Sequence, residues 1–245
     1  MTSYLKVKRL SKRYDDCWAL RNVDLQVKKG EVFGLIGPSG AGKTTLLRLV
    51  AILEKPSEGN IQFEGVDVNN LSEKEVLLIR RRMGFVFQNP IVFKRSVYEN
   101  VAYGLKIRGE EKASITEKVK DALQLVGLSE LEKRKATTLS GGEVQRLALI
   151  RTTIVEPELL LLDEPTANLD PANVALIEHA ISEIVKTEGT TVIIATHNMF
   201  QAERLADRVG FFLNGELVEV AKVDQIFNHP KDEKTRAFVK GEMIY

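Results

Sequence analysis

Val32-Phe33-Gly34-Leu35-Ile36, running straight into Gly37-Pro38-Ser39-Gly40-Ala41-Gly42-Lys43-Thr44 and then into Leu46, Leu47, Leu49 and Val50, decides how this chain folds. The near-continuous apolar run reads as a strand buried on both faces, and the leucines that follow read as a helix. The segment between them fits G-x-x-x-x-G-K-[ST], with strand and helix on the required sides. Its glycines let the backbone turn tightly and aim N–H groups inward, where they and the helix N-terminus receive phosphates. Lys43 adds a fixed positive charge, Thr44 can offer its hydroxyl to Mg²⁺, and Thr45 completes the cradle. Nucleotide binding follows from this stretch alone.

Outward from it, short β-like runs alternate with helical patterns, the mark of an α/β protein with a mostly parallel sheet. Leu159–Leu162 and Thr191–Ala195 are core-type strands flanking a helix in which Val174, Ile177, Ile181 and Ile184 keep three-and-four spacing, a βαβ unit. Asn214-Gly215 joins Val209–Leu213 to Glu216–Val220 as a hairpin. Towards the N-terminus, Tyr4–Leu10 and Leu20–Val27 alternate apolar and polar residues, which predicts antiparallel strands with one wet face. Between about Pro90 and Thr138 strand signals give way to helical ones, including Ile115–Val126 with Val119, Leu123 and Val126 on one face. No long repeat, low-complexity tract or linker divides the chain.

The second chemical centre is Asp163-Glu164-Pro165, directly after Leu162. Two acids at the end of a buried parallel strand lie where open α/β sheets bind ligands. Asp163 suits a metal shell, and Glu164 suits orienting or deprotonating an attacking water. His197, just past the strand Thr191–Ala195, reaches the same edge and is expected at the γ-phosphate. Phosphoryl transfer needs little more than a metal, a cation and a placed nucleophile.

Composition narrows the setting. Lysine plus arginine number 35 against 34 acids, net charge +1, so no global field marks nucleic acid or anionic lipid as the partner. The run Arg80-Arg81-Arg82 reads as a solvated face, and no nucleic-acid partner is expected. One cysteine, Cys17, cannot form an internal disulfide, and MTSYLKVKRL lacks a secretory core, which points to the cytoplasm. The apolar runs fall far short of the roughly 20 residues that span a bilayer, so any membrane crossing is expected in another chain.

A phosphate loop also suits kinases, GTPases and helicases. Leu139-Ser140-Gly141-Gly142-Glu143 separates them: a serine and two glycines opening the helix Glu143–Ile154 make a second anion-receiving helix end. With these motifs in this order the chain resembles the ATP-binding cassette transporter family across nearly its whole length. The resemblance implies a single cassette domain over 1–245, with a RecA-like core and antiparallel β lobe at about 1–89 and 139–245 and an inserted helical subdomain at about 90–138. It implies a homodimer in which Ser140, Gly141, Gly142 and Glu143 of one copy close over ATP and Mg²⁺ held by Lys43 of the other. Within this pattern Tyr14 matches the aromatic that stacks on adenine, with Trp18 as its rival. Gln88 matches the glutamine that touches metal and water and begins the segment docking on transmembrane permease subunits. Asp170 matches the loop between the two sites. Glu143 stands where many members have glutamine, and Asn168 where serine or alanine is frequent; hydrolysis is still expected, at a rate left open.

The stretch Val92–Gly104 resembles that of importer subunits serving oxyanions, with an extracytoplasmic binding protein in the complete system. Thr196–Met199 with Gln201-Ala202 is similar to the phosphate branch, whereas Leu49–Glu54 and Phe238–Tyr245 are more similar to the tungstate branch. Tungstate is the expected cargo, molybdate and phosphate the alternatives. The chain is read as lacking the β-rich regulatory domain of some relatives, so no anion sensing is expected within it. The resulting expectation is a peripheral ATPase on the cytoplasmic face of the membrane. The rivals are a non-transport cassette, which needs a long coiled coil not seen here, and a monomeric phosphate-loop kinase, which leaves Ser140–Glu143 without a role.

Overall fold

The computed structural model describes residues 3–243. Strands β1 (Leu5–Tyr14) and β2 (Cys17–Val27) pair antiparallel, and with β4 (Glu58–Phe63) and β5 (Val66–Asp67) they form a four-stranded sheet ordered β2-β1-β4-β5. The second sheet combines β3 (Val32–Ile36), β6 (Met83–Val86), β7 (Leu159–Asp163), β8 (Thr191–Thr196), β9 (Arg208–Leu213) and β10 (Glu216–Lys222) in the order β10-β9-β3-β8-β7-β6. Every neighbouring pair in it is parallel except the β9–β10 hairpin. That hairpin turns on Asn214 (φ 50°) and Gly215 (φ 81°), both left-handed as a two-residue turn between twisted strands requires.

Helices α1 (Lys43–Val50), α2 (Glu73–Arg80), α3 (Val97–Ile107), α4 (Lys112–Leu125), α5 (Gly141–Thr153), α6 (Pro171–Glu188), α7 (Met199–Leu205), α8 (Val223–Asn228) and α9 (Glu233–Val239) cover the sheets. The alternation within β7 shows how they do so. Leu159 and Leu161 point into one core with α1 and the antiparallel sheet; Leu160 and Leu162 point into another with α3, α4, α5 and α6. A strand buried on both faces has no wet side, which is why its sequence is an unbroken leucine run. A third, smaller cluster packs α7, α8 and α9 on Ile36, Val209 and Phe211.

Element ends shift by a few residues from the sequence reading. The first two strands run to Tyr14 and from Cys17, so their hairpin is tighter than the alternation implied. The helix expected over Glu143–Ile154 begins at Gly141, because Ser140 caps it. Leu147 and Ile150 of α5 share a core with Val101 and Leu105 of α3 and Val119 of α4, so the helical layer continues past residue 138 into the segment that returns to the sheet.

Candidate functional site

The parallel register sets the site. Ile36 lies beside Thr196, Ala195 beside Asp163, and Leu162 beside Val86, so β3, β8, β7 and β6 end together on one edge. The residues just beyond those ends are the phosphate loop, His197, Glu164 and Gln88. They converge on one cavity of about 570 Å³, lined by residues 37–45 together with Gln88, Glu164 and His197.

The loop is held from two sides. Gly37 has φ 148°, and a Cβ there would lie 2.2 Å from the Phe212 carbonyl oxygen at the end of β9. Gly42 has φ 107°, and a Cβ would lie 2.6 Å from the Ala19 carbonyl oxygen on β2. Only glycine satisfies either position. Gly42 also opens α1 with no side-chain cap and no acid in the first turn, leaving its N–H groups directed at the cavity.

Lys43 is only 6% exposed. Its Nζ donates to the carbonyl oxygens of Gly37 at 2.6 Å and Pro38 at 2.9 Å and lies 3.9 Å from Glu164 Oε1. Burial lowers its pKa against the pull of Glu164 and Asp163. Thr44 Oγ1 donates to Asp163 Oδ1 at 2.8 Å. Asp163 is buried at the end of β7, and burial raises its carboxyl pKa while the Thr44 bond works the other way. Glu164 Oε2 lies 2.8 Å from His197 Nδ1 and accepts the His197 N–H at 3.3 Å. One carboxylate thus spans the lysine and the histidine.

Three groups of residues singled out in the sequence stand outside this cavity. Tyr14 is 41% exposed; its hydroxyl donates to Glu54, and the Lys12 Nζ lies 4.9 Å from its ring centroid. Trp18 has the Arg13 guanidinium 5.9 Å from its ring. Ser140–Glu143 open α5 and do not line the cavity. Ser140 and Glu143 form a reciprocal capping box, with the Ser140 N–H donating to Glu143 Oε2 at 2.7 Å and the Glu143 N–H to Ser140 Oγ at 3.4 Å. Glutamate at that position is therefore a helix-capping choice, and the bond from the Ser140 N–H holds its carboxyl pKa down. Asp170 caps α6, accepting from the N–H groups of Ala172 and Asn173 at 3.0 Å, and the Asn173 amide packs against Gly142. Asn168 has φ 59°, a conformation asparagine tolerates better than most residues.

Ala19, Met199, Phe238 and Gly241 also line the cavity. Met199 and Phe238 arrive there through the third core, where Phe238 stacks on Phe211 with ring centroids 4.7 Å apart, while Ala19 comes from β2.

The model of the family described as ABC transporter matches residues 20–167, spanning the phosphate loop, the signature and the paired acids. The chain belongs to the ABC transporter family. It is an ATP-binding ATPase of that family with an α/β phosphate-loop fold. The phosphate import ATP-binding protein PstB 2 of Natronomonas pharaonis is 42% identical, over 98% of this chain and 88% of that protein. The molybdate/tungstate import ATP-binding protein WtpC of Thermococcus kodakarensis is 42% identical, over 98% and 71%. A methionine import ATP-binding protein, MetN of Haemophilus influenzae, is 43% identical, over 91% and 65%. Among solved structures, cbiO1 of Clostridium perfringens, part of the ABC transporter complex cbiONQ, has a TM-score of 0.85 at 33% identity, covering 94% of this chain and 92% of that one. The cassette MJ0796, described as a dimeric post-hydrolysis state bound to ADP and Pi, has a TM-score of 0.83 at 30% identity, covering 89% and 98%.

Proposed function

We propose that this chain is the ATP-hydrolysing subunit of an importer, working as a homodimer on the cytoplasmic face of the membrane beneath separate permease subunits. The observation that carries the reading is the convergence of Lys43, Thr44, Gln88, Glu164 and His197 on one cavity at the carboxyl edge of the sheet, with Asp163 bonded to Thr44. Lys43 and the α1 N-terminus receive the β- and γ-phosphates. Glu164 orients or deprotonates the attacking water, and His197, anchored by Glu164, contacts the γ-phosphate. The oxygens of Thr44, Asp163 and Gln88 suit Mg²⁺, a hard cation that takes few protein ligands beside phosphates and waters. When bound it would draw charge from the phosphates. Tyr14 is proposed to stack on adenine.

Two features support a second copy and a membrane partner. Ser140–Glu143 stand outside their own chain's cavity, as does Asp170 in the loop between the two sites, so the anion-receiving start of α5 is proposed to act across a dimer, and the MJ0796 cassette is described as dimeric. Beyond Gln88, Ile91 (82% exposed), Phe93, Tyr103 and Ile107 leave large apolar side chains in water, as a docking surface does. Among the described residues no helix is long and apolar enough to cross a membrane. We assign residues 1–245 to one cassette domain. Closure on ATP draws the two copies and their docked permeases together, and hydrolysis releases them.

For cargo we propose an oxyanion, tungstate before molybdate or phosphate, delivered by an extracytoplasmic binding protein. The similarity of Val92–Gly104 to oxyanion importers supports it, as do relatives named for phosphate and for molybdate/tungstate import that overlap 98% of the chain. The test is uptake of labelled tungstate, molybdate, phosphate and methionine by source cells carrying the native chain or Lys43→Ala. Selective loss of tungstate uptake is expected. Loss of phosphate or methionine uptake instead would keep the mechanism and replace the cargo, while no loss would overturn the transport role.

A further inference from the structure

Glu164 and His197 hang from different strand ends, joined by their own contact and by the bond from the Glu164 N–H to the Ala195 carbonyl oxygen at 2.8 Å. Glu164 has φ 48°, a left-handed conformation that a glutamate keeps only where its surroundings over-determine it. A further tie lies behind the pair. Gln201 is completely buried, and its Nε2 donates to Thr166 Oγ1 at 2.9 Å. Thr166 follows Glu164 by two residues, and Gln201 follows His197 by four. Glu178 Oε1, 3.4 Å from the same Nε2, fixes which way the amide points, because a carboxylate only accepts. On the other side, the Gln201 N–H donates to Asn198 Oδ1 at 3.1 Å and the Asn198 N–H to Thr196 Oγ1 at 3.0 Å, so His197 is straddled by bonds that lead to Gln201.

The amide is poorly suited to a purely structural role. Its Oε1 is buried with no hydrogen-bond partner among the described residues. A half-satisfied buried amide is less favourable for folding than an apolar side chain of similar volume. A buried amide bonded through one end only, which joins the turn of one hydrolytic residue to the loop of the other, points to a use in the reaction.

We propose that Gln201 is a positioning residue for ATP hydrolysis: its amide locks the turn carrying Glu164 to the loop carrying His197. The proposal rests on the reading of Glu164 and His197 as the hydrolytic pair. Gln201→Met keeps volume and burial but removes the donor, and Thr166→Val removes the acceptor. In the purified full chain each is expected to lower kcat by about 10- to 100-fold, the scale on which small misplacements act. KM for ATP should stay within about twofold, as expected when an interaction acts only on the chemical step. The melting temperature of Gln201→Met should equal or exceed that of the native chain. The double variant should be no slower than the worse single one, since both break one bond. A parallel fall in kcat, rise in KM and fall in melting temperature would overturn the proposal and make Gln201 an ordinary core residue. Normal turnover in Gln201→Met, with Glu164→Gln and His197→Ala inactive, sinks this proposal alone; normal turnover in those two variants removes the pair and the proposal with it.

Discussion

Glu164→Gln isolates the step on which the mechanism turns. Glutamine keeps the shape and can still bond the His197 ring, so the fold and the loop contact survive while the charge and the base are lost. Loss of a general base costs roughly 10²- to 10⁴-fold in rate, or about 3–5 kcal/mol at ~1.4 kcal/mol per decade. The same change acts on binding with the opposite sign. Glu164 Oε1 sits 3.9 Å from Lys43 Nζ, an attraction of about 4 kcal/mol at an effective dielectric constant of ~20. The net benefit is smaller because both groups are desolvated. ATP must compete with that carboxylate for the lysine, so the neutral variant should bind ATP more tightly and hydrolyse it slowly, leaving an ATP-bound dimer. The assays are single-turnover hydrolysis and light scattering at saturating ATP. A kcat within about threefold of native refutes Glu164 as the base, and a variant that stays monomeric at every workable concentration refutes the shared site.

Gly42→Ala adds a left-handed penalty of ~1–2 kcal/mol to an overlap with the Ala19 carbonyl and Leu20 worth about 1–3 kcal/mol; thermal melts should drop by roughly 5–20 °C. Gly40→Ala, with φ 77° and nothing within 4 Å of the new Cβ, carries only the first cost, and equal shifts in the two variants would contradict the packing argument. Thr44→Val removes the bond that favours ionised Asp163, whose folded pKa burial already raises. A raised carboxyl penalises folding above its folded pKa and not below its unfolded value near ~4. Denaturant curves should therefore show a loss of ~1.5–3 kcal/mol at pH 7 that narrows as pH falls towards the unfolded value, and a pH-independent gap would assign the loss to packing. Ser140→Ala opens the capping box and should cost about 1 kcal/mol by the same measurement. It should also weaken ATP-driven dimerisation, and full dimerisation would remove Ser140 from the shared site.

The strands that build the site were legible because burial on both faces leaves no choice of residue: Val32–Ile36 and Leu159–Leu162 announce themselves. So did the glycine loop, whose chemistry is local. Spatial order was not legible. Nothing in Met83–Val86, a short half-buried strand, says that it pairs with β7 and so delivers Gln88 to the edge. Helix α2 buries no residue and leaves Leu77 and Leu78 exposed, so periodicity misses it. Its one cue is the Ser72/Glu75 capping box, a spacing repeated at Ser96/Glu99. Phe238, Gly241 and Gln201 lie in stretches the sequence marks only by resemblance; what each touches is set by the tertiary structure.

The capping box at the head of α5 has one more implication. The Glu143 carboxylate bonds the N–H of Ser140, the capping residue, and not the first-turn N–H groups of Gly141 and Gly142, which have no intrahelical partner. Under the proposed closure a partner's γ-phosphate would therefore meet those N–H groups beside a carboxylate of its own sign, and like charges that close repel. The helix end that attracts the phosphate thus carries its own brake. A glutamine at that position could keep the bond to the Ser140 N–H and release the brake.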